Sequence, residues 1–324
     1  MHSVDYLQEK LNRIFASVKI ISEPKELYDP IGYTLSLGGK RIRPLLILMG
    51  CDLYRGDLEK VTNVAIGIEL FHNFTLLHDD IMDQAPIRRG KDTVHKKWNA
   101  NVAILSGDTM FALATEYISQ TQATVLPEVL QVFTMTARQV CEGQQYDMNF
   151  ESQEYVSIPD YIRMIRLKTA VLIACSLKLG AVVAGANVEE KKKIYTFGEN
   201  LGLAFQLQDD LLDTFGDGNK FGKEIGGDII AKKKTFLYIK ALELVNDMQR
   251  EDLLSYLSDR SMTPDDKIRR VKDLYRILHI EEITKAEISG YFDKALQCLD
   301  QMDVEQNDKK ELHGFANRLL FREY

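Results

Sequence analysis

The stretch HDDIMDQAPIRRG, residues 78–90, places a cluster of acidic residues at the end of an apolar run. Its three carboxylates are Asp79, Asp80 and Asp83. The residues before them, 68–77, are spaced as in a helix rather than a strand. At about 100° per residue, the three acidic side chains project from one side of that helix. Like charges at this spacing cost about 0.2–0.5 kcal/mol per pair, so the pattern indicates a cation bound in front of them.

The same acidic pattern occurs a second time. Asp209, Asp210 and Asp213 lie in FQLQDDLLD, after the mainly apolar run 198–207. A single Asp-Asp-x-x-Asp motif in an acidic chain is equally consistent with a solvated helix face. Two copies, each after an apolar helix and each followed by basic residues, favour a common binding role. We therefore interpret both triads as cation ligands.

Length and composition predict a soluble globular protein. The chain has 324 residues, of which 45% are hydrophobic and 27% charged, which is ordinary for that class. No linker, low-complexity tract or further repeat interrupts it, so a single domain, 1–324, is expected. The net charge of −7 argues against a nucleic-acid-binding protein.

Two further features predict a cytoplasmic location. The N-terminus lacks the apolar core of a signal peptide, and the most apolar run, 170–186, is interrupted by Lys178 and too short for a membrane span. The four cysteines are widely spaced and form no C-x-x-C pair, so they are expected to be buried, reduced thiols. They are Cys51, Cys141, Cys175 and Cys298.

Helical spacing dominates the rest of the chain, and no convincing strand pattern occurs. A loop is expected at 91–101, where the single tryptophan, Trp98, is interpreted as a packing residue. The chain after about residue 240 is expected to be helical and has no recognisable chemistry. Helices are predicted at 3–20, 61–82, 103–121, 126–149, 161–185 and 191–213.

Several basic segments accompany the triads. Gly38–Pro44, GGKRIRP, is a turn that opens a helix, and it fits either an anion site or a basic helix cap. His72 precedes Asp79 by seven residues and shares its face of the helix. Lys168 lies among apolar residues, where it either extends outward to solvent or pairs with an anion.

The glycine-rich segment 215–227 contains Lys220 and Lys223, and such a loop can approach a phosphate. It lacks the spacing of a P-loop.

The chemistry that these residues suggest is the handling of a polyphosphate. Mg²⁺ prefers oxygen ligands, usually one or two carboxylates completed by water and substrate phosphates. Two triads would hold several such ions, and the basic residues would bind the remaining phosphate oxygens. A site of this kind stabilises a departing diphosphate. No Ser-His-Asp or Cys-His nucleophile is indicated, so the organic group would react with a second bound molecule in an apolar pocket.

The chain resembles the trans-isoprenyl diphosphate synthases, the polyprenyl synthetase family, from about Gly38 to Thr235. The resemblance rests on GGKRIRP, HDDIMD followed by RRG, Lys168-Thr169, FQLQDD with Asp213, and a GK…GGD…KKT tail. The order and the spacing of these motifs match the family. Outside this region the chain matches only in being helical.

The resemblance implies an all-α isoprenoid synthase fold, a bundle of roughly ten or more helices around a central active-site cavity, usually as a homodimer. The two aspartate motifs would face each other across the mouth of the cavity. In the implied reaction an allylic diphosphate (dimethylallyl, geranyl or farnesyl) ionises with the help of Mg²⁺, about three ions per site. The double bond of isopentenyl diphosphate then attacks the carbocation, and a proton is lost.

The resemblance also assigns roles to individual positions. The magnesium ligands would be Asp79, Asp80, Asp83, Asp209, Asp210 and Asp213. The residues for isopentenyl diphosphate would be Lys40, Arg43, His72 and Arg89. The residues for the allylic diphosphate or its carbocation would be Arg88, Lys168, Thr169, Gln206, Lys223 and Lys233.

The length of the product is expected to depend on Phe74 and Thr75, which precede the first triad. One bulky aromatic residue beside a small one resembles the cavity floor of short-chain enzymes, which make products of fifteen to twenty carbons. The first triad also lacks an internal insertion, and twenty carbons is favoured over fifteen. The helical wheel alone does not select Phe74, which is well away from the face of Asp79.

Three alternatives were weighed. A class I terpene cyclase usually replaces the second motif with an Asn/Asp…Ser/Thr…Glu triad and needs no second diphosphate site. The second triad, Asp209, Asp210 and Asp213, and the basic residues Lys40 and Arg43 both argue against that class. A head-to-head condensing enzyme of the squalene type uses D-x-x-x-D spacing, which is absent here. A non-catalytic partner subunit would keep the fold without the site, whereas both triads are complete.

Overall fold

The computed structural model describes residues 1–20, 22–216 and 225–321. Its helices begin with α1 Val4–Ser17, α2 Lys25–Ser36, α3 Ile42–Leu53, a 3₁₀ turn Leu58–Val61, α4 Thr62–Met82, α5 Val94–Lys97, α6 Ala100–Ser119 and α7 Leu126–Ser152. They continue with α8 Ile158–Ile165, a π-helix Arg166–Ala170, α9 Val171–Val183 and α10 Val188–Phe215. The last are α11 Gly227–Ile230, α12 Phe236–Leu244, α13 Asp247–Ser258, α14 Pro264–Ile277, α15 Ile280–Asp300 and α16 Gln306–Phe321. The predicted all-α class is confirmed.

The chain falls into two compact units, each assembled from separate segments. The first contains Met1–Thr134, Cys175–Ile194 and Asp303–Leu312. The second contains Met135–Ala174, Tyr195–Met302 and the residues from His313 onward. The expectation of a single domain stays a prediction.

The core of the first unit depends on close contact between the backbones of α3 and α9. A Cβ atom on Gly50 would lie 2.2 Å from the carbonyl oxygen of Leu177. A Cβ atom on Gly180 would lie 2.2 Å from the carbonyl oxygen of Ile47. Only glycine allows an approach this close, so the two helices meet through reciprocal glycines.

A short hairpin follows α4 and carries the two arginines of the first motif. Strand β1 (Ile87–Arg88) pairs antiparallel with β2 (Lys91–Asp92). The turn residues Arg89 and Gly90 both have positive φ, 53° and 73°, as two-residue hairpin turns require. The predicted loop at 91–101 was therefore wrong in part, since it contains β2, α5 and the start of α6. Two-residue strands are too short to leave an alternating pattern.

The predicted helix 161–185 is interrupted by the π-helix Arg166–Ala170. A Cβ atom on Gly143 of α7 would lie 2.3 Å from the backbone nitrogen of Lys168, so α7 and this segment are in backbone contact. π-Helical turns occur mainly within α-helices and often at functional sites. Here the turn contains both Lys168 and Thr169.

The remaining expectations are largely met. All four cysteines are free, and Cys51 and Cys175 are buried as predicted. Cys141 on α7 is exposed and Cys298 is partly exposed, so burial of all four was wrong. Trp98 packs edge-on against Tyr33 at 5.3 Å between ring centroids. None of the described helices combines the length and the apolar character that a membrane span requires.

Candidate active site

The first triad lies at the C-terminal end of α4, and its three carboxylates have different environments. Asp80 is only 4% exposed, whereas Asp79 is partly exposed and Asp83 is exposed. Arg88 of β1 donates from Nε to both oxygens of Asp80, at 2.8 and 2.9 Å. Burial raises the pKa of Asp80, and the hydrogen bonds from Arg88 oppose that rise. In this structure, Arg88 is therefore the partner of a triad carboxylate.

Arg89, the other hairpin arginine, lies against the Gly38-Gly39 turn. Its guanidinium donates to the carbonyl oxygen of Gly38. Gly39 has a φ of +141°, and a Cβ atom on it would lie 2.7 Å from Nη2 of Arg89, so a side chain at this position would displace the guanidinium. Lys40, the next residue, is exposed. The structure thus brings the GGKR turn and the RRG turn together, although they are far apart in the sequence.

Arg43 and His72 form a hydrogen-bonded pair close to Arg89. Nη1 of Arg43 lies 3.1 Å from Nε2 of His72. Because a guanidinium can only donate, Nε2 accepts, and the imidazole is assigned as neutral with its proton on Nδ1. Burial, Arg43 and Arg89 lower the pKa of His72 well below its usual value. His72 therefore contributes a hydrogen-bonding group, not a positive charge.

Glu69 lies behind this pair and was missed at the level of sequence. It is 4% exposed, and Nδ2 of Asn73 donates to its backbone oxygen at 2.8 Å and to Oε1 at 3.2 Å. Burial raises the pKa of Glu69, while Asn73 and Arg43 lower it. Buried polar atoms without a partner also occur here, on Arg43, Glu69, His72 and Asn73. Such a cluster suits a water molecule or a polar ligand atom. The sequence did contain a sign of this residue, because Glu69 is a charged residue within an apolar run, three positions before His72.

The second triad lies near the end of α10 and repeats the pattern of burial. Asp210 is 5% exposed, whereas Asp209 and Asp213 are partly exposed. The hydroxyl of Tyr161 donates to Oδ2 of Asp210, and Nε2 of Gln206 donates to Oδ1 at 2.9 Å. Burial and the nearby Asp228 raise the pKa of Asp210 to about 7.

The Lys168-Thr169 motif belongs to the same group of contacts. Oγ1 of Thr169 donates to Oε1 of Gln206 at 2.9 Å, which orients the amide so that its nitrogen is directed at Asp210. Nζ of Lys168 lies 2.6 Å from Oδ2 of Asp147. Of the two possibilities for Lys168, pairing with an anion is therefore the one observed. Asp147 was not identified from the sequence.

The segment after the second triad contributes one more carboxylate, Asp228. Its backbone nitrogen donates to Oδ1 of Asp213 at 2.9 Å, and the nitrogen of Gly226 donates to the carbonyl oxygen of Asp213 at 2.7 Å. Lys233 is exposed, and its charge is close enough to lower the pKa of Asp210. The predicted ligand Lys223 lies outside the described residues.

The residues expected to set product length lie in an aromatic cluster of the first unit. The ring of Phe74 stacks on Phe111 of α6 at 5.3 Å and contacts Phe71 at 5.5 Å and His78 at 4.8 Å. Oγ1 of Thr75 donates to the carbonyl oxygen of His72 at 2.7 Å. Phe74 is thus backed by a second aromatic ring from another helix.

The aspartates of the two triads differ in how well their exposure suits a magnesium ion. Within the described part of the chain, no three His, Cys, Asp or Glu side chains lie in an arrangement that could hold an ion. Mg²⁺ usually takes one or two protein carboxylates and completes its shell with water and phosphate oxygens. The accessible carboxylates Asp79, Asp83, Asp209 and Asp213 fit that requirement.

Comparisons with known proteins place this chain in a family. Residues 24–277 match the family model described as Polyprenyl synthetase. A short chain isoprenyl diphosphate synthase of Methanocaldococcus jannaschii is 39% identical over 259 residues, covering 80% of this chain and 78% of that one. A geranylgeranyl diphosphate synthase of Saccharolobus solfataricus is 35% identical over 305 residues, covering 92% and 91%. A solved structure of a geranylgeranyl pyrophosphate synthase aligns with a TM-score of 0.94 at 43% identity, covering 100% of each chain.

The family match and these relatives show that the chain is a prenyltransferase. The chain belongs to the polyprenyl synthetase family. It carries out the head-to-tail condensation of prenyl diphosphates to a short-chain product, as the resemblance predicted.

Proposed function

We propose that the chain condenses isopentenyl diphosphate with an allylic diphosphate, in the presence of Mg²⁺, and that its main product is geranylgeranyl diphosphate. The observation that carries this proposal is the division within each triad. The middle aspartate, Asp80 or Asp210, is buried and held by hydrogen bonds, and the outer carboxylates are accessible. The same arrangement at both motifs supports a shared task, the handling of a diphosphate.

All six aspartates serve the magnesium site in this proposal, but in different ways. The outer residues Asp79, Asp83, Asp209 and Asp213 supply ligand oxygens. Asp80 and Asp210 are held by hydrogen bonds and supply a carboxylate group behind those ligands. When bound, about three Mg²⁺ ions supply the positive charge that makes diphosphate a better leaving group.

The basic residues divide between the two substrates. Arg43 and Arg89 are held next to the neutral His72 and the accessible Lys40, a set that suits the diphosphate of isopentenyl diphosphate. Lys168 and Lys233 lie with the second triad and are assigned to the allylic diphosphate, together with Arg88 and Lys223. Thr169 and Gln206 present oxygen dipoles that suit a carbocation. The allylic C–O bond breaks, the double bond of isopentenyl diphosphate attacks, and the proton lost goes to the released diphosphate.

The aromatic stack supports a product of limited length. Phe74 and Phe111 together would block further growth of the chain at the floor of the pocket. The name of the Saccharolobus solfataricus relative agrees with a twenty-carbon product.

A homodimer is proposed as well. Two large apolar side chains on α6, Ile104 and Leu105, are exposed in the single chain. Exposed apolar groups on one helix are typical of subunit interfaces. Light scattering after size exclusion would give a mass near twice 37.1 kDa, and a mass near 37.1 kDa would contradict the dimer.

The metal requirement is tested directly by incubating the purified chain with isopentenyl and farnesyl diphosphates in Mg²⁺ or in EDTA. A prenyl diphosphate should form only with Mg²⁺, and activity should return when Mg²⁺ is added in excess of EDTA. Turnover that continues at the wild-type rate in EDTA would contradict the proposal.

A further inference from the structure

The two buried aspartates are held by donors of different charge. Asp80 is paired with the cation Arg88. Asp210 is held by two neutral groups, the hydroxyl of Tyr161 and the amide of Gln206. A neutral donor forms a hydrogen bond to a carboxylate oxygen and leaves the negative charge in place. An arginine forms the hydrogen bond and also neutralises the charge.

Tyr161 is well placed to keep Asp210 in one conformation. Its side chain is 1% exposed on the short helix α8, which starts with the Ser157 cap and a proline in its first turn. Burial and the nearby carboxylate of Asp210 raise the pKa of Tyr161 well above its usual value, so the hydroxyl keeps its proton and acts as a donor. The residue packs into the core and also reaches the triad.

Gln206 is fixed in the same manner from the other side. Oγ1 of Thr169 donates to its Oε1 at 2.9 Å, so the amide nitrogen is directed at Oδ1 of Asp210. Both oxygens of Asp210 are thereby occupied.

We propose that Tyr161, together with Gln206, is a positioning residue that holds the carboxylate group of Asp210, the middle residue of the second triad, in the conformation that supports the binding of magnesium and diphosphate. The inference rests on the proposed function for the identity of those ligands. It adds a role for Tyr161, which is buried and would act through its hydrogen bond to Asp210. A tyrosine that merely filled the core would contribute to stability and leave ligand affinity unchanged.

The test measures the binding of inorganic diphosphate in the presence of Mg²⁺ by calorimetry, and thermal stability without ligand. Tyr161→Phe removes the hydroxyl and keeps the ring, and Gln206→Met removes the second donor at similar length. The matched control is Tyr54→Phe, since Tyr54 donates to the carboxylate of Glu190 at 3.2 Å in the other unit. Tyr161→Phe is also made in an Asp210→Asn background, because a residue that acts only through Asp210 has no effect once that charge is gone.

We expect Tyr161→Phe and Gln206→Met each to weaken diphosphate binding about tenfold, in line with the loss of a hydrogen bond to a charged group. Tyr54→Phe should keep wild-type affinity, and Tyr161→Phe should change affinity less than about twofold in the Asp210→Asn background. Wild-type affinity in folded Tyr161→Phe, or an undiminished loss in the Asp210→Asn background, would overturn the proposal. If Tyr161→Phe gives no cooperative thermal transition, diphosphate affinity is compared instead for Gln206→Met, in the wild-type chain and in the Asp210→Asn background. Failure of the wild type to form any prenyl diphosphate would overturn the proposed function instead, which is a separate measurement.

Discussion

Arg88 donates through Nε to both carboxylate oxygens of Asp80, at 2.8 and 2.9 Å, and so holds the middle residue of the first triad away from solvent. The pair joins the hairpin β1–β2 to the end of α4. Asp79 and Asp83, at the same end of α4, are more exposed than Asp80. The first triad therefore consists of one buried, arginine-paired carboxylate and two that are open to solvent.

Substitutions within this triad should consequently have different effects. Asp79→Ala removes an accessible ligand, and turnover should fall by about 10²–10³ with little change in thermal stability. Asp80→Ala leaves Arg88 without its partner and should lower the free energy of unfolding. Because Arg88 is 30% exposed, that loss should be smaller than the roughly 3–5 kcal/mol of a wholly buried pair.

Steady-state kinetics and thermal denaturation of both variants provide the measurement. Asp108→Ala, which removes an exposed carboxylate on α6, is the control and should resemble the wild type. Equal loss of stability in Asp79→Ala and Asp80→Ala would contradict the division of roles.

The two sets of basic residues should separate in substrate kinetics. Lys40→Ala should raise the KM for isopentenyl diphosphate more than the KM for the allylic primer, since Lys40 adjoins the cluster of Arg43 and Arg89. Lys168→Ala should show the opposite bias, because Lys168 lies with the second triad. We expect the affected KM to rise about tenfold, which corresponds to the loss of one charge-assisted hydrogen bond. Initial rates with each substrate varied in turn test this, and equal effects on both KM values from either change would refute it.

His72 should make the stability of the protein depend on pH. The groups around it are Arg43, Arg88 and Arg89, with Glu69 on its own helix. Because its pKa is lower in the folded protein than in the unfolded chain, the unfolded chain binds the proton more readily. The stabilising contribution is therefore complete above about pH 6.5 and is lost as the pH falls below that value.

The measurement is the melting temperature of wild type and His72→Asn at pH 7.5 and pH 5.5. The melting temperature of the wild type should fall more from pH 7.5 to pH 5.5 than that of the variant, because the variant lacks the titrating group. His313→Asn changes an exposed histidine and should retain the wild-type difference. If His72→Asn keeps the full wild-type loss on acidification, another group is responsible.

Phe74 and Phe111 should limit product length together. Phe74→Ala should lengthen the product by at least one five-carbon unit, since one helical turn opens about 5.4 Å along the axis. The double variant with Phe111→Ala should extend it further, because the ring stacked on Phe74 is then removed as well. Mass analysis of the products, with Mg²⁺ dependence as the control, is the measurement. An unchanged product distribution in both variants would place the floor elsewhere.

The sequence was sufficient to predict the helices and the two triads, because both depend on local spacing. Periodic apolar residues identified α4 and α10, and the repeated motif separated a binding role from a solvated face. Contacts made by packing were not predictable in this way. Tyr161 and Asp210 are separated by 49 positions, and nothing in the local pattern of either residue indicates the other.

The environment of Lys168 shows the same limit. From the residues alone, extension of Lys168 to solvent was favoured over pairing with an anion, whereas in the structure it pairs with Asp147, because α7 packs against the π-helix. That approach depends on Gly143, where a side chain would collide with the backbone of Lys168. The apolar pattern of α8 and α9 gave no sign of the π-helix between them, because the flanking residues keep helical spacing.

The most direct test of the central claim is mass analysis of the products formed by the purified chain from isopentenyl diphosphate and each of dimethylallyl, geranyl and farnesyl diphosphate, with Mg²⁺. All three primers should yield geranylgeranyl diphosphate as the main product, and isopentenyl diphosphate should be consumed in proportion to the units added. A product released as a hydrocarbon without consumption of isopentenyl diphosphate, or no product from any primer, would contradict the central claim.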